Sequence, residues 1–176
     1  MSLSMRARRD HRAGGRIDGL FWVAAGAVIL GGVWWEEHVR GLVPCALCLL
    51  ERWPWRALVL LGLLRLGLPD RPGISTALRV AAAAVLLAAA GLGLTHLGVE
   101  QHWWPDPLPQ CQAPTFHAGS LRERLASMPL RPAKPCDSPS YLLPGLPVSM
   151  AALDMLFALA LLALTLFLGF GRKRPA

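Results

Sequence analysis

The chain has 176 residues, of which 54% are hydrophobic and only 16% charged, with a formal net charge of +7. So apolar a composition excludes an ordinary water-soluble domain, and the apolar residues are gathered into runs, as membrane segments require. The charge excludes a nucleic-acid-binding protein: no basic, aromatic-interleaved face exists, and the cations lie outside the apolar runs.

Arg6, Arg8, Arg9, Arg12 and Arg16 precede the first run, Arg65, Arg71 and Arg79 flank a short hydrophilic break, and Arg172, Lys173 and Arg174 end the chain. That is the positive-inside pattern of a four-span protein with both termini in the cytoplasm. Residues 1 to about 17 read as a disordered cytoplasmic lead. Residues 19–35 form an uncharged run that closes in Val33-Trp34-Trp35-Glu36-Glu37-His38. It has no small-residue cleavage site, and its tryptophans fit an interfacial belt, so it reads as an uncleaved first transmembrane helix.

Residues 36–47 then form a short outer loop that carries the chain into Pro44-Cys45-Ala46-Leu47-Cys48-Leu49-Leu50-Glu51-Arg52. A Cys-x-x-Cys alone can be a redox dithiol, half a zinc site, or chance. Pro44 can take the first position of the second helix, where its missing N–H costs nothing. That span is expected over about 48–68, kinked or started afresh near Pro54. Arg56 and Arg65 read as snorkelling residues. Pro69-Asp70-Arg71-Pro72-Gly73 makes a tight inner turn.

The third span, about 76–99, is rich in Ala, Leu and Gly, and Gly91 and Gly93 offer close helix contacts. His96 and Glu100 stand one turn apart at its outer end. Residues 100–146 form the one long polar loop, with Cys111 and Cys136 in it. Between them Ser120 and Glu123 have capping-box spacing, and Leu121, Leu125 and Met128 share a helical face. This short helix either packs on the loop or lies flat on the outer leaflet. The last span runs over about 147–170. Asp154 within it reads as structural, pairing with an arginine or capping a helix.

Four spans put all four cysteines on one face of the membrane. In a bacterial inner membrane that face is the periplasm, where disulfides persist. Four sulfurs could equally hold zinc, and a membrane protein with one four-thiolate metal site is the alternative reading. A third is a non-catalytic subunit whose disulfides only brace its loops.

The redox reading has a chemical logic. Thiol–disulfide exchange needs a thiolate to attack a disulfide sulfur and a second thiol to resolve the mixed disulfide. Cys45 near a helix N-terminus is placed for a thiolate. Arg52, one turn past Cys48, brings a fixed charge to a Cys48 thiolate. Cys111 and Cys136 could form a structural bridge or a shuttle disulfide presented to a soluble partner. The chain has no haem-attachment motif, dinucleotide glycine motif or iron–sulfur spacing, which leaves a lipid-soluble quinone as the natural electron acceptor. Arg52 could hold a quinone oxygen while Cys48 contacts the ring. His96 either faces the same pocket or is an interfacial histidine bonded to water or Glu100.

The stretch from Glu37 to Arg52, with its Pro-Cys-x-x-Cys and Glu-Arg, resembles the first-loop signature of the DsbB family, the disulfide bond formation proteins B. The resemblance extends through His96-Leu97-Gly98-Val99-Glu100-Gln101, then Cys136-Asp137 and Leu143-Pro144-Gly145-Leu146-Pro147-Val148-Ser149-Met150, and covers about residues 19–170. The Arg-rich lead falls outside it, and Tyr141 and the proline-rich 144–147 depart from the family's lead-in to the last span.

The resemblance implies an all-α membrane protein, a four-transmembrane-helix bundle with a long disulfide-bearing periplasmic loop, forming a single domain over 1–176 in the bacterial inner membrane. It implies an enzyme that reoxidises a soluble DsbA-like, thioredoxin-fold oxidase and passes the electrons to a membrane quinone, ubiquinone or else menaquinone. It implies pairs Cys45–Cys48 and Cys111–Cys136, with a Cys45–Cys136 link during turnover. Cys111 would take the partner, Cys136 would attack Cys45, and Cys48 with Arg52 would meet the quinone. No resident metal is implied.

Overall fold

The computed structural model describes residues 2–111, 120–126, 134–142, 145 and 147–171, the side chains of 2–14, 124, 126 and 169–171 excepted. The basic stop at 172–174, Met128, and Leu143, Pro144 and Leu146 of the resemblance lie outside the described residues. So do the side chains of Arg6, Arg8, Arg9 and Arg12. The described residues are all-helical, with no strand and one isolated bridge, Tyr141 to Ser149.

Helix α1 spans Ser2–His38. The lead, expected to be disordered, is instead continuous with the first apolar run; arginine and alanine are good helix formers and no proline interrupts them. Past the helix, Gly41 takes a left-handed φ of 69°, and the Leu42 N–H reaches the Glu36 carbonyl at 3.0 Å. Glycine meets that φ without a Cβ clash.

Helix α2 spans Ala46–Gly67 and runs unbroken through Pro54, so the expected restart there is not found. Trp55 and Leu58, just beyond the proline, are buried in the core and hold the helix together across the lost bond. Helix α3 spans Pro72–Glu100 and opens with proline in its first turn. That adds a turn to the expected 76–99 and uses proline where its missing N–H costs nothing. After the loop come a 3₁₀ turn, Pro109–Cys111, then α4, Leu121–Ala126, and α5, Met150–Gly171. Helix α5 begins at Met150 rather than near 147, because Ser149 caps it: its Oγ accepts from the Ala152 N–H at 3.3 Å.

Among the described residues, three segments are long and apolar enough to cross a membrane: Gly15–His38, Pro72–Glu100 and Met150–Leu168. Helix α2 has a comparable length but carries Glu51, Arg52, Arg56 and Arg65 and is not among them. Leucines, valines and phenylalanines such as Leu60, Val80, Leu87 and Phe167 are largely exposed on the outside of the bundle. Helices apolar all round are what a lipid surround demands.

Helix α1 packs on α2, α2 on α3, and α3 on α5. Their shared core holds Trp22, Trp55, Leu58, Ala82, Leu86 and Ala158. Gly93 lets α3 and α5 close up: a Cβ there would lie 3.0 Å from Met155 Cβ. Gly91, expected to do the same, faces open space. The core tryptophans find polar partners on α5. Trp22 Nε1 donates to Thr165 Oγ1 at 3.4 Å, and Trp55 Nε1 to Asp154 Oδ1 at 2.8 Å. Among the described residues Asp154 therefore pairs with neither an arginine nor a helix end; it accepts from an indole.

At the end of the bundle away from the cysteines, Arg65 is buried, not snorkelling. It donates to Asp70 at 2.6 Å and Ser75 at 3.1 Å, with Gly15 leaving room for its guanidinium. Arg79 binds Asp18 through Nε and Nη2 at 3.0 and 2.7 Å, tying α3 to α1. Arg56 stays exposed, as expected, with its guanidinium 5.1 Å from the Trp53 ring. In α4 the expected capping box forms: Glu123 Oε2 accepts from the Ser120 N–H at 2.8 Å and from Ser120 Oγ at 3.0 Å. Leu121 and Leu125 point to the outside, 74% and 58% exposed, so their face is not packed on the loop.

Candidate functional site

The site forms where the start of α2, the ends of α1 and α3, and the loop before α5 converge. Cys45, not Pro44, starts α2. It is the N-cap, with extended backbone, and its Sγ accepts the Cys48 N–H at 3.0 Å. The offset of one residue has a simple cause: a sulfur can fill the acceptor role usually taken by a Ser or Asp oxygen. One turn of helix brings Cys48 back over Cys45, and the two are bonded as a disulfide with Cα atoms 5.1 Å apart.

Cys111 and Cys136 form the second disulfide. The Cys136 N–H donates to the Cys111 carbonyl at 3.3 Å, so backbone as well as sulfur joins the two loop segments. Both residues are 0% exposed, packed in one apolar cluster with Cys45, Leu47 and Val99, and Cys48 lies against that cluster. The two disulfides thus share one buried nest. The loop pair is buried rather than held out toward solvent. Trp104 helps seat the loop: its ring covers Gly98 and its Nε1 donates to the Thr95 carbonyl at 3.0 Å.

His96 sits under Cys45. It is buried, with Nε2 3.5 Å from Cys45 Sγ and Nδ1 2.9 Å from Glu51 Oε1. Nε2 also lies 3.9 Å from Glu100 Oε1. The imidazole therefore belongs to the cysteine site and is no surface histidine. A carboxylate on Nδ1 fixes the tautomer with Nε2 available to the sulfur. Glu51 was not singled out from the sequence. It stood in the Glu-Arg of the signature, one turn past Cys48, without a role of its own.

Arg52 lines the same cavity as Cys45, Cys48, Glu51 and His96. Its guanidinium is gripped by Glu37 at the end of α1 through both terminal nitrogens. Arg52 Nε is buried with no hydrogen-bond partner among the described residues. Glu37 is the second partner that sequence reasoning missed, since nothing local links the end of one span to the start of the next. Lys134 closes the loop side of the cavity, donating to the Pro139 carbonyl at 3.0 Å and Ser140 Oγ at 2.8 Å. Burial holds its ammonium below the usual lysine range, with Glu100 opposing that shift.

The arrangement can exchange disulfides over short distances. It can move a proton at His96 Nε2, and it offers a charged donor, Arg52, to an acceptor oxygen in the cavity. One four-thiolate metal site is not what the sulfurs form: they are paired in two disulfides.

The family model described as "Disulfide bond formation protein DsbB" matches residues 16–168. A protein named "Disulfide bond formation protein B", from Aromatoleum aromaticum (strain DSM 19018 / LMG 30748 / EbN1), is 30% identical over 164 residues, which cover 89% of this chain and 91% of that protein. No solved structure matches the chain.

Proposed function

This chain belongs to the DsbB family of disulfide bond formation proteins, and from that premise we propose that it is a quinone-dependent thiol oxidase of the bacterial inner membrane that reoxidises a soluble, DsbA-like dithiol oxidase. In this reading α2 is the fourth span, both termini are cytoplasmic, and the cysteines face the periplasm. Helix α2 can carry its charges because Arg65 and Arg52 each have a carboxylate partner.

The observation that carries the reading is the common burial of both disulfides, with Cys45, Cys111 and Cys136 in one cluster. A bracing bridge has no need to pack against a second disulfide; a relay does. The partner's thiolate attacks Cys111 Sγ, the Cys111–Cys136 bond breaks, and Cys136 leaves as thiolate. Cys136 then attacks Cys45 Sγ, and the Cys45–Cys48 bond breaks with Cys48 leaving as thiolate. The partner's second thiol resolves the mixed disulfide at Cys111, and Cys111 then attacks Cys136 Sγ, restoring the Cys111–Cys136 bond and releasing Cys45 to leave Cys45 and Cys48 as the reduced dithiol. Each exchange conserves one disulfide, so two electrons travel inward without a free radical. Because Cys111 is 0% exposed, the first attack requires the loop to lift.

A bound quinone supplies the sink for the two electrons and two protons of the dithiol. The residues fit such a group: Arg52 Nε is a buried donor without a partner among the described residues, in the cavity that Cys48, the end of the relay, also lines. Arg52 would hold a quinone oxygen and counter the charge of a Cys48 thiolate. His96 Nε2, its tautomer set by Glu51, would hold the proton exchanged at Cys45. A DsbA-like partner reduced to its attacking thiol alone should trap a mixed disulfide at Cys111. Trapping at Cys136 or Cys45 instead would sink the order of steps.

A further inference from the structure

We infer that the reduced site is a metal trap, in which Cys45, Cys48, His96 and Glu100 capture one soft or borderline divalent cation such as zinc or cadmium. The sulfurs of Cys45 and Cys48 and a ring nitrogen of His96 all lie within 4.8 Å of one another. The Cys45 Sγ to His96 Nε2 distance is 3.5 Å. A tetrahedral ion with metal–sulfur bonds of about 2.3 Å and metal–nitrogen bonds of about 2.0 Å spans an S-to-N edge of roughly that length.

Two further observations point to a cation rather than to a chance cluster. Glu51 accepts from His96 Nδ1 at 2.9 Å, the carboxylate–histidine arrangement that orients metal-ligating imidazoles. Glu100 is 93% buried by residue area, being 7% exposed, and its Oε2 has no hydrogen-bond partner among the described residues. It lines the same cavity, with Oε1 3.9 Å from His96 Nε2, and stands just outside the close Cys45–Cys48–His96 group, so a shift of its side chain on capture would complete a closed S₂NO site. Of the cations nearby, Arg52 is engaged by Glu37, and Lys134 donates to Pro139 and Ser140 and reaches Glu100 through its charge alone.

The disulfide form cannot bind, because its sulfurs are not thiolates. In the dithiol form, two thiols and one dication give the bis-thiolate complex and release two protons, with no change in oxidation state. Capture therefore locks the pair reduced and stops exchange at Cys45. The site is a redox-gated point of metal inhibition, and its test does not depend on any quinone.

The experiment uses the full chain in detergent micelles, in a Cys111→Ser/Cys136→Ser background, reduced with a phosphine and titrated with cadmium(II). The expected result is one equivalent bound, with a thiolate-to-cadmium charge-transfer band that is absent from the oxidised protein. His96→Gln and Glu100→Gln each weaken binding about tenfold or more, and Glu51→Gln by about 10- to 100-fold through the positioning of His96. An equal band in the oxidised protein, or binding unmoved by His96→Gln and Glu100→Gln, overturns the site. Should those variants fail to fold, cadmium NMR of the reduced, unsubstituted chain decides. A resonance for two sulfurs with nitrogen and oxygen supports the trap; one for sulfur-only ligation overturns it.

Discussion

His96 Nε2 lies 3.5 Å from Cys45 Sγ, although 51 positions separate them in the chain. The third helix thus delivers an imidazole to the first cysteine of the second, and Glu51 on that second helix holds the imidazole's other nitrogen at 2.9 Å. Sulfur, imidazole and carboxylate form a chain in which the carboxylate positions the ring and the ring serves the sulfur.

Glu51→Gln should leave the fold and both disulfides in place while loosening the tautomer of His96. Turnover should fall about 10- to 100-fold, part of the 10²- to 10⁴-fold that a positioned acid–base group contributes. Its pH profile should flatten, and mixed-disulfide formation at Cys111 should be unchanged. Steady-state kinetics across pH, set beside trapping at Cys111, checks it. A normal profile at normal rate would remove Glu51 from the mechanism.

Arg52→Lys should raise the KM for quinone about tenfold with a smaller change in kcat, because an ammonium cannot keep two bonds to Glu37 and offer a third donor to the cavity. Glu37→Gln should lower stability by about 1–3 kcal/mol, since it leaves a largely buried guanidinium short of its counter-ion. Quinone titrations and thermal unfolding in detergent measure the two effects separately.

The Trp55 to Asp154 bond crosses from α2 to α5, and Asp154 Oδ2 has no partner of its own among the described residues. Trp55→Phe removes the one donor that carboxyl has and opens space in the core. The expected loss is about 2–4 kcal/mol. Asp154→Asn keeps an acceptor for the indole and should cost far less. Unfolding of the two variants side by side gives the comparison, and equal losses would deny the bond its role.

Helix α4 should fray in acid. Glu123 is held below the usual glutamate range by hydrogen bonds from the Ser120 N–H and hydroxyl, so its ionised form is the one that caps. The stabilisation is present above the ordinary carboxylate pKa and is lost as pH falls through the lower, folded value. Protection factors over Leu121–Ala126, taken relative to the intrinsic exchange rate at each pH, should fall in that window, and Glu123→Gln should make them insensitive to pH.

The helices were legible because each rests on a local pattern: an apolar run, a proline in a first turn, a Ser–Glu capping box. The cysteine pairs were legible because Pro-Cys-x-x-Cys beside Glu-Arg is a specific signature at the edge of an apolar run. What escaped were partnerships across the bundle. Arg65 read as a snorkelling residue because Gly15, which makes room for it, lies on another helix. Glu51 and Glu37 had no visible role because their partners stand 45 and 15 positions away. Asp154 read as half of an ion pair because an indole partner leaves no charge pattern. The burial of Cys111 and Cys136 was hidden too: a proline-rich polar loop gives no sign that it folds back onto the end of α3.

The most direct measurement is the stoichiometry of electron transfer by the purified chain. Reduced thioredoxin-fold oxidase and ubiquinone are mixed with it in detergent, and thiol loss and quinone reduction are followed together. The expected result is one quinone reduced for each dithiol oxidised. Cys48→Ser should abolish turnover while the mixed disulfide at Cys111 still forms. Dithiol oxidation at the same rate without quinone, or full turnover by Cys48→Ser, would contradict the relay.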